Sequence, residues 1–276
     1  MMSRLAMLFD ASRCIGCKSC QVACKQWWGL PASETTQVGT YENPTDLEPN
    51  TWARVTFREY EANGQFQWLF LAWGCVHCTQ AACVDVCPTG ALKHNALGFV
   101  SLERELCNGC SYCSQACPFK VPRMETVNLL TGEARASKCT FCQDRATNGL
   151  SPACVKSCPP GALEWGERKA LLEKAHARVE WLRSRGYDQA QVYGETELGG
   201  LGRLFVLTAP PEAYGLPVNP QYSTLVASWQ QVVQPLGYLA VAATTLGLAF
   251  NWLATRRARL SNIEAVEPDA TEESEA

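Results

Sequence analysis

The chain has 276 residues, enough for one large or two small domains, and 47% of them are hydrophobic, enough for a buried core. Its 24 Lys and Arg against 27 Asp and Glu leave a net charge of −3, a balance that argues against nucleic acid as a partner. The 16 cysteines are the outlier, and they decide how the rest of the chain is read.

Leu5 to Phe9 reads as a short strand leading into Asp10-Ala-Ser-Arg-Cys14. The apolar run of the first ten residues is too short for a secretory signal, and no twin-arginine pair lies near the start. Cys14, Cys17, Cys20 and Cys24 follow at C-x2-C-x2-C-x3-C spacing. Residues 27–50 are rich in Pro, Gly, Thr and Asn and read as an irregular loop. Thr51 to Glu61 and Gln65 to Trp73 are β-rich runs joined at Asn63-Gly64, a hairpin turn pair. Trp52, Val55, Phe57, Phe66, Trp68 and Phe70 are expected to pack within that hairpin or against a neighbour.

The second quartet, Cys75, Cys78, Cys83 and Cys87, has a longer middle spacer. A strand is expected over Phe99 to Glu103, again with an acidic residue four positions before the next cysteine. The third quartet, Cys107, Cys110, Cys113 and Cys117, ends in Pro118 and is C-x2-C-x2-C-x3-C-P, the spacing that holds cubane iron–sulfur clusters. In two-cluster proteins the fourth cysteine of such a run ligates the other cluster. The fourth quartet, Cys139, Cys142, Cys154 and Cys158, has an eleven-residue spacer over residues 143–153. Cys87-Pro-Thr-Gly-Ala-Leu92 is echoed by Cys158-Pro-Pro-Gly-Ala-Leu163, so each fourth cysteine is followed by a Gly turn and an apolar step into a strand. These echoes form an internal repeat.

The quartets consume every cysteine. A disulfide scaffold does not arrange all its cysteines this way. Structural zinc uses paired C-x2-C motifs but does not call for a third cysteine at x2 and a fourth at x3 before Pro. No C-x-x-C here is followed by His, which excludes c-type haem attachment. His77, inside the second quartet, is expected beside a cluster or at the surface rather than as a ligand. Lys18, Lys25, Lys120, Arg123 and Lys138 neighbour cysteines and are candidates to offset cluster charge.

Beyond the quartets, residues 167–185 carry helical periodicity through Leu171, Leu172, Ala175, Val179 and Leu182, with Gly186 as the C-cap, and Leu204 to Thr208 reads as a strand. No charge occurs over residues 213–255, and about 232–253 is apolar and long enough to span a bilayer. Trp229, Tyr238 and Trp252 are placed for interfacial belts, and Arg256, Arg257 and Arg259 follow. Residues 264–276 are acidic and read as disordered.

The quartets, in this order and with these spacers, resemble the four-cluster electron-transfer (beta) subunits of complex iron–sulfur molybdoenzymes. Residues 17–27, Gly39-Thr-Tyr-Glu-Asn-Pro44, Asn50-Thr-Trp52, Lys138-Cys-Thr-Phe-Cys-Gln-Asp-Arg145 with Asn148-Gly-Leu150, and Tyr214-Gly-Leu-Pro217 narrow this to formate dehydrogenase beta subunits. The resemblance implies a non-catalytic relay. Its electrons come from a molybdenum or tungsten pterin catalytic subunit and leave to a quinone-reducing membrane cytochrome b. An equivalent subunit of another molybdoenzyme or of a membrane hydrogenase is the alternative.

The implied fold is α+β: tandem ferredoxin-like units of two [4Fe–4S] clusters each, one inserted in the other, with an added β-hairpin and a C-terminal transmembrane helix. Its expected divisions are a four-cluster domain over 1–165 (inner unit about 74–125, hairpin 51–73), a helix and strand cap over 166–215, a linker and span over 216–256, and a tail over 257–276. Four clusters with crossed ligation are expected. Cys14, Cys17 and Cys20 join Cys158; Cys139, Cys142 and Cys154 join Cys24; Cys75, Cys78 and Cys83 join Cys117; Cys107, Cys110 and Cys113 join Cys87. Positive charge after the span places the tail in the cytoplasm and the cluster domain in the periplasm of a single-pass inner-membrane protein.

Overall fold

The structure is a computed structural model that describes residues 4–62, 64–222, 228 and 232–264. It divides into two units, Met1–Val226 and Ala227–Ala276.

The first unit is built on a four-stranded sheet, β1 (Leu5–Asp10), β8 (Leu163–Glu167), β9 (Gln191–Tyr193) and β10 (Arg203–Leu207), in the order β8-β1-β10-β9. β1 is central, antiparallel to β8 and parallel to β10. Both its faces are covered, so its apolar run is continuous rather than alternating. Ala6, Leu8, Leu204 and Val206 face the helix α6 (Arg168–Arg183), which buries Leu171, Ala175, Val179 and Leu182 along one stripe. Met7, Phe9, Phe205 and Leu207 face the opposite way, into the core that contains the cysteines. The helix ends with Tyr187 N–H on the Leu182 carbonyl and Gly186 at φ 91°, in the left-handed region that glycine favours. The segment expected as a cap therefore contributes β9 and β10 to the sheet that β1 begins.

The hairpin lies where the Asn-Gly pair places it, with β2 (Ala53–Ala62) antiparallel to β3 (Gln65–Gly74); Asn63 itself lies outside the described residues. Trp52 and Val55 are buried, Phe57 packs edge-on to Phe70 at 5.2 Å, and Phe66 and Trp68 are exposed at the outer end. Two short pairs complete the unit. β4 (Leu92–His94) pairs antiparallel with β5 (Val100–Leu102), and β6 (Arg123–Asn128) with β7 (Glu133–Ser137). The β6–β7 pair carries no alternation or turn pair of the kind that marked β2–β3, and sequence reasoning missed it.

Short helices carry cysteines: α1 (Ser19–Trp28) holds Cys20 and Cys24, α2 (Ala82–Asp85) Cys83, α3 (Tyr112–Ala116) Cys113, and α5 (Ala153–Lys156) Cys154. The remaining short helix, α4 (Gln143–Ala146), begins the fourth quartet's spacer. The second unit contains α7 (Gln234–Glu264), whose stretch Gln234–Leu260 is long and apolar enough to cross a membrane, with a mean hydropathy of 1.4. Trp229 and residues 265–276 lie outside the described residues.

Candidate functional site

Strand pairing decides which thiols meet. β1 runs into the first quartet and β8 runs out of Cys158; the two strands pair from Leu5↔Glu167 to Phe9↔Leu163. Cys14 and Cys158 are thereby brought to the same end of the sheet. β5 runs into the third quartet and β4 runs out of Cys87, and their pairing brings Cys87 to Cys107 in the same manner. Helix packing supplies the rest: α1 packs on α5, and α2 on α3. The third and fourth cysteines of a quartet are four residues apart, about 6 Å of helix rise, so one helical turn offers them to different cavities.

Two cavities result. One is lined by Cys14, Cys17, Cys20 and Cys158, with Phe9, Val55 and Leu163 among its apolar walls. The other is lined by Cys87, Cys107, Cys110 and Cys113, with Leu92, Leu102 and Met124. The other eight thiols fall into two further groups by mutual repulsion. Burial pushes the Cys24 thiol well up, with Cys139, Cys154 and Cys142 adding to it. Burial does the same to Cys78, with Cys75, Cys117 and Cys83. Each group also lies within electrostatic reach of the next, Cys20 acting on Cys154, Cys75 on Cys139, and Cys113 on Cys83.

The loops repeat one backbone device. The residue before the second cysteine is left-handed in every quartet: Gly16 at φ 67°, His77 at 50°, Gly109 at 78° and Phe141 at 63°. A Cβ on Gly109 would lie 2.5 Å from the Ala134 carbonyl oxygen of β7, and one on Gly16 2.9 Å from the Phe57 ring. Where a side chain is tolerated it is enclosed: His77 and Phe141 are fully buried with ring centroids 4.8 Å apart. His77 accepts the Val100 N–H at Nδ1, its Nε2 has no partner among the described residues, and burial keeps its pKa well below the usual imidazole value. It is therefore an enclosed neighbour of the second quartet, not a surface group.

Hydrogen bonds reach several sulfurs. Ala136 N–H donates to Cys107 Sγ at 3.2 Å, Phe141 N–H to Cys139 Sγ at 3.4 Å, and the Trp28 side chain to Cys142. Burial raises Cys87, but hydrogen bonds from the backbone at Leu92, Thr89 and Ala91 and from the Thr89 hydroxyl outweigh it, and the thiol is lowered. Most thiols go the other way. Burial, with repulsion from neighbouring thiols, pushes Cys14 and Cys113 up to about 11 and Cys20 to about 12.

Of the five basic residues singled out by position, only Lys138 is buried among the thiols, where Nζ donates to the Val100 and Cys139 carbonyls at 2.8 and 2.9 Å. Lys25 ties the Pro31 and Asn50 carbonyls, Arg123 binds the Leu47 carbonyl and Asp46, Lys18 lies 5.2 Å over the Phe57 ring, and Lys120 is exposed. Two further cations are buried, Arg145 and Arg203; for Arg203 the available signal was a lone charge opening the apolar run Leu204–Leu207.

The donors fit iron–sulfur clusters. An all-thiol donor set, most of it pushed toward the neutral thiol by burial, suits a strongly positive core, and soft sulfur donors select such a core. Among the described residues, no group of three His, Cys, Asp or Glu side chains is placed to hold a single metal ion.

Residues 13–91 and 66–168 each match a 4Fe-4S dicluster domain. The chain is 41% identical over 255 residues to the nitrate-inducible formate dehydrogenase iron-sulfur subunit of Escherichia coli (strain K12), covering 91% of this chain and 85% of that protein. It is 38% identical over 253 residues to the formate dehydrogenase-O iron-sulfur subunit of the same organism, covering 90% and 83%. With the formate dehydrogenase iron-sulfur subunit of Haemophilus influenzae it shares 39% identity over 254 residues, covering 90% and 80%.

Proposed function

The chain belongs to the iron–sulfur subunits of formate dehydrogenases, and from that membership we propose that it relays electrons through four [4Fe–4S] clusters, one for each group of four thiols. The source is a molybdenum or tungsten pterin subunit that oxidises formate, and the acceptor is a membrane cytochrome b subunit that reduces quinone. The observation that supports this reading is that Cys14, Cys17, Cys20 and Cys158 line one cavity and Cys87, Cys107, Cys110 and Cys113 another, each set drawn from two quartets.

The clusters supply one-electron redox chemistry, and this chain supplies their holding and tuning. The first cluster takes Cys14, Cys17, Cys20 and Cys158, and the next Cys24, Cys139, Cys142 and Cys154. The third takes Cys75, Cys78, Cys83 and Cys117, and the last Cys87, Cys107, Cys110 and Cys113. With four thiolates at each, no iron is left open, so the chain is a conductor and not itself a catalyst. The β1–β8 and β4–β5 pairings support an inner two-cluster unit, about 74–125, inserted within an outer one. Trp28, Ala136 and Phe141 donate hydrogen bonds toward sulfur, which favours the reduced state. The apolar walls exclude water and so limit the charge rearrangement that each electron demands.

The helix α7 anchors the chain in the membrane, and Arg256, Arg257 and Arg259 favour a cytoplasmic tail with the cluster unit on the periplasmic side. Iron analysis tests the core of the reading: about sixteen irons per chain are expected, four to each cubane, and about eight would refute it. The chain freed of any pterin subunit is expected to accept electrons from dithionite but not to oxidise formate.

A further inference from the structure

His77 and Phe141 hold the same place in their loops, one residue before the second cysteine of the second and fourth quartets, and both are left-handed there. Their buried rings meet edge to face, with centroids 4.8 Å apart and planes at 70°. Loop 75–78 and loop 139–142 thus come together ring on ring. Phe99 adds a third ring, stacked on Phe141 at 5.4 Å and perpendicular to His77 at 6.3 Å. Gly202 lies against the base of the imidazole, where a Cβ of its own would come within 2.9 Å of the His77 Cβ.

One hydrogen bond places the imidazole proton. Nδ1 accepts the Val100 N–H at 3.2 Å, so the neutral ring carries its hydrogen on Nε2 and that nitrogen is a donor. The Val100 carbonyl is already taken by Lys138 Nζ at 2.8 Å. Nε2 is buried and has no partner among the described residues, and the same is true of Thr140 Oγ1 in the facing loop. Each loop therefore brings an unpaired buried donor to this junction, and buried donors are as a rule satisfied. The loops belong to the second and third clusters, through Cys139 and Cys142 on one side and Cys75 and Cys78 on the other. Resting on the cluster assignment above, we propose that His77 Nε2–H donates a hydrogen bond to sulfur of one of these two clusters and raises its reduction potential. The sign follows from charge. Reduction adds an electron to the cluster, and a donor directed at its sulfur stabilises the reduced form more than the oxidised one.

The test uses the full-length chain in its membrane complex, purified without oxygen from cells fed nitrogen-15 histidine, as wild type, His77→Phe and His77→Gln. Phenylalanine already stands at the matching place in the facing loop, and glutamine keeps an N–H donor. Iron is counted first; a wild-type count well below about sixteen irons would sink the cluster assignment, a separate failure. With iron complete, pulsed EPR of the reduced wild type should show a histidine nitrogen and an exchangeable proton coupled to one cluster signal, both lost in His77→Phe. His94 and His176 are exposed, and a coupling that His77→Phe retains belongs to another histidine and counts against the proposal. Redox titration of His77→Phe should show one-electron reduction of that same cluster weakened about fivefold, a fall of about 40 mV at about 59 mV per tenfold. Its signal should be the one that Cys78→Ser or Cys142→Ser alters, which tells the third cluster from the second. His77→Gln should recover the exchangeable proton and most of the fall. A wild type without histidine coupling, as expected if Nε2–H rests on the Phe141 ring face, would overturn the proposal. So would unchanged midpoints, a shift confined to the first or fourth cluster, or a His77→Gln protein matching His77→Phe. If His77→Phe loses iron, His77→Met repeats the comparison. Loss of iron from all three variants assigns the residue to packing alone and overturns the proposal as well.

Discussion

At the residue scale, glycine is required in the cysteine loops by what lies against it. Gly109 and Gly132 are both left-handed, at φ 78° and 69°. Only Gly109 also meets backbone, the Ala134 carbonyl oxygen 2.5 Å from any added Cβ; nothing lies within 4 Å of a Cβ on Gly132. Alanine pays roughly 1–2 kcal/mol for the left-handed conformation at either site. Gly132→Ala should therefore lower stability by that amount and keep all its iron. Gly109→Ala must also push β7 away from the loop, which breaks the Ala136 N–H bond to Cys107, and should lose about a quarter of the iron. Equal iron contents in the two variants, read by iron analysis beside thermal melting, would count against the close approach. The His77 and Phe141 loops take the same backbone turn without glycine, so composition alone does not mark it.

At the element scale, the proposed crossed ligation rests on strand pairing. β8 delivers Cys158 to the strand that opens the first quartet, and β4 delivers Cys87 to the strand that opens the third. Serine is a poor substitute for thiolate, so each Cys→Ser change should alter the EPR signal of one cluster. Cys158→Ser is expected to alter the same signal as Cys17→Ser, and Cys24→Ser the same signal as Cys142→Ser. A Cys158→Ser spectrum that instead matched Cys142→Ser would mean that each quartet holds its own cluster. The strands behind this argument were partly legible: both Gly-Ala-Leu echoes enter strands at Leu92 and Leu163, as expected. β9 and the β6–β7 pair were not, because three-residue strands and strands with exposed faces carry too little apolar alternation.

At the scale of the whole molecule, the two units differ in what covers them. The first buries its apolar residues around the thiols, whereas α7 exposes Leu236, Leu239, Val241, Leu246, Leu248 and Phe250. A helix so apolar and so exposed is suited to lipid. Protease added to intact spheroplasts should digest the cluster unit and spare the segment after Arg259. A protected cluster unit, with the tail labelled from outside, would reverse the proposed orientation.

The sequence by itself determined the donors and their chemistry, because ligand spacing is local: a C-x2-C loop and an x3 helical turn need no distant partner to be recognised. It also determined α7, since the length and apolarity of a span lie within one segment. The meeting of Cys14 with Cys158 and of Cys87 with Cys107 rests on strands paired across many residues, and only the tertiary structure brought them together. The same holds for buried charge. Lys138 was one of five basic candidates marked by their place beside cysteines, and Arg203 was not marked at all; which cations lie buried in the thiol-bearing core is decided by packing, a property no single segment carries.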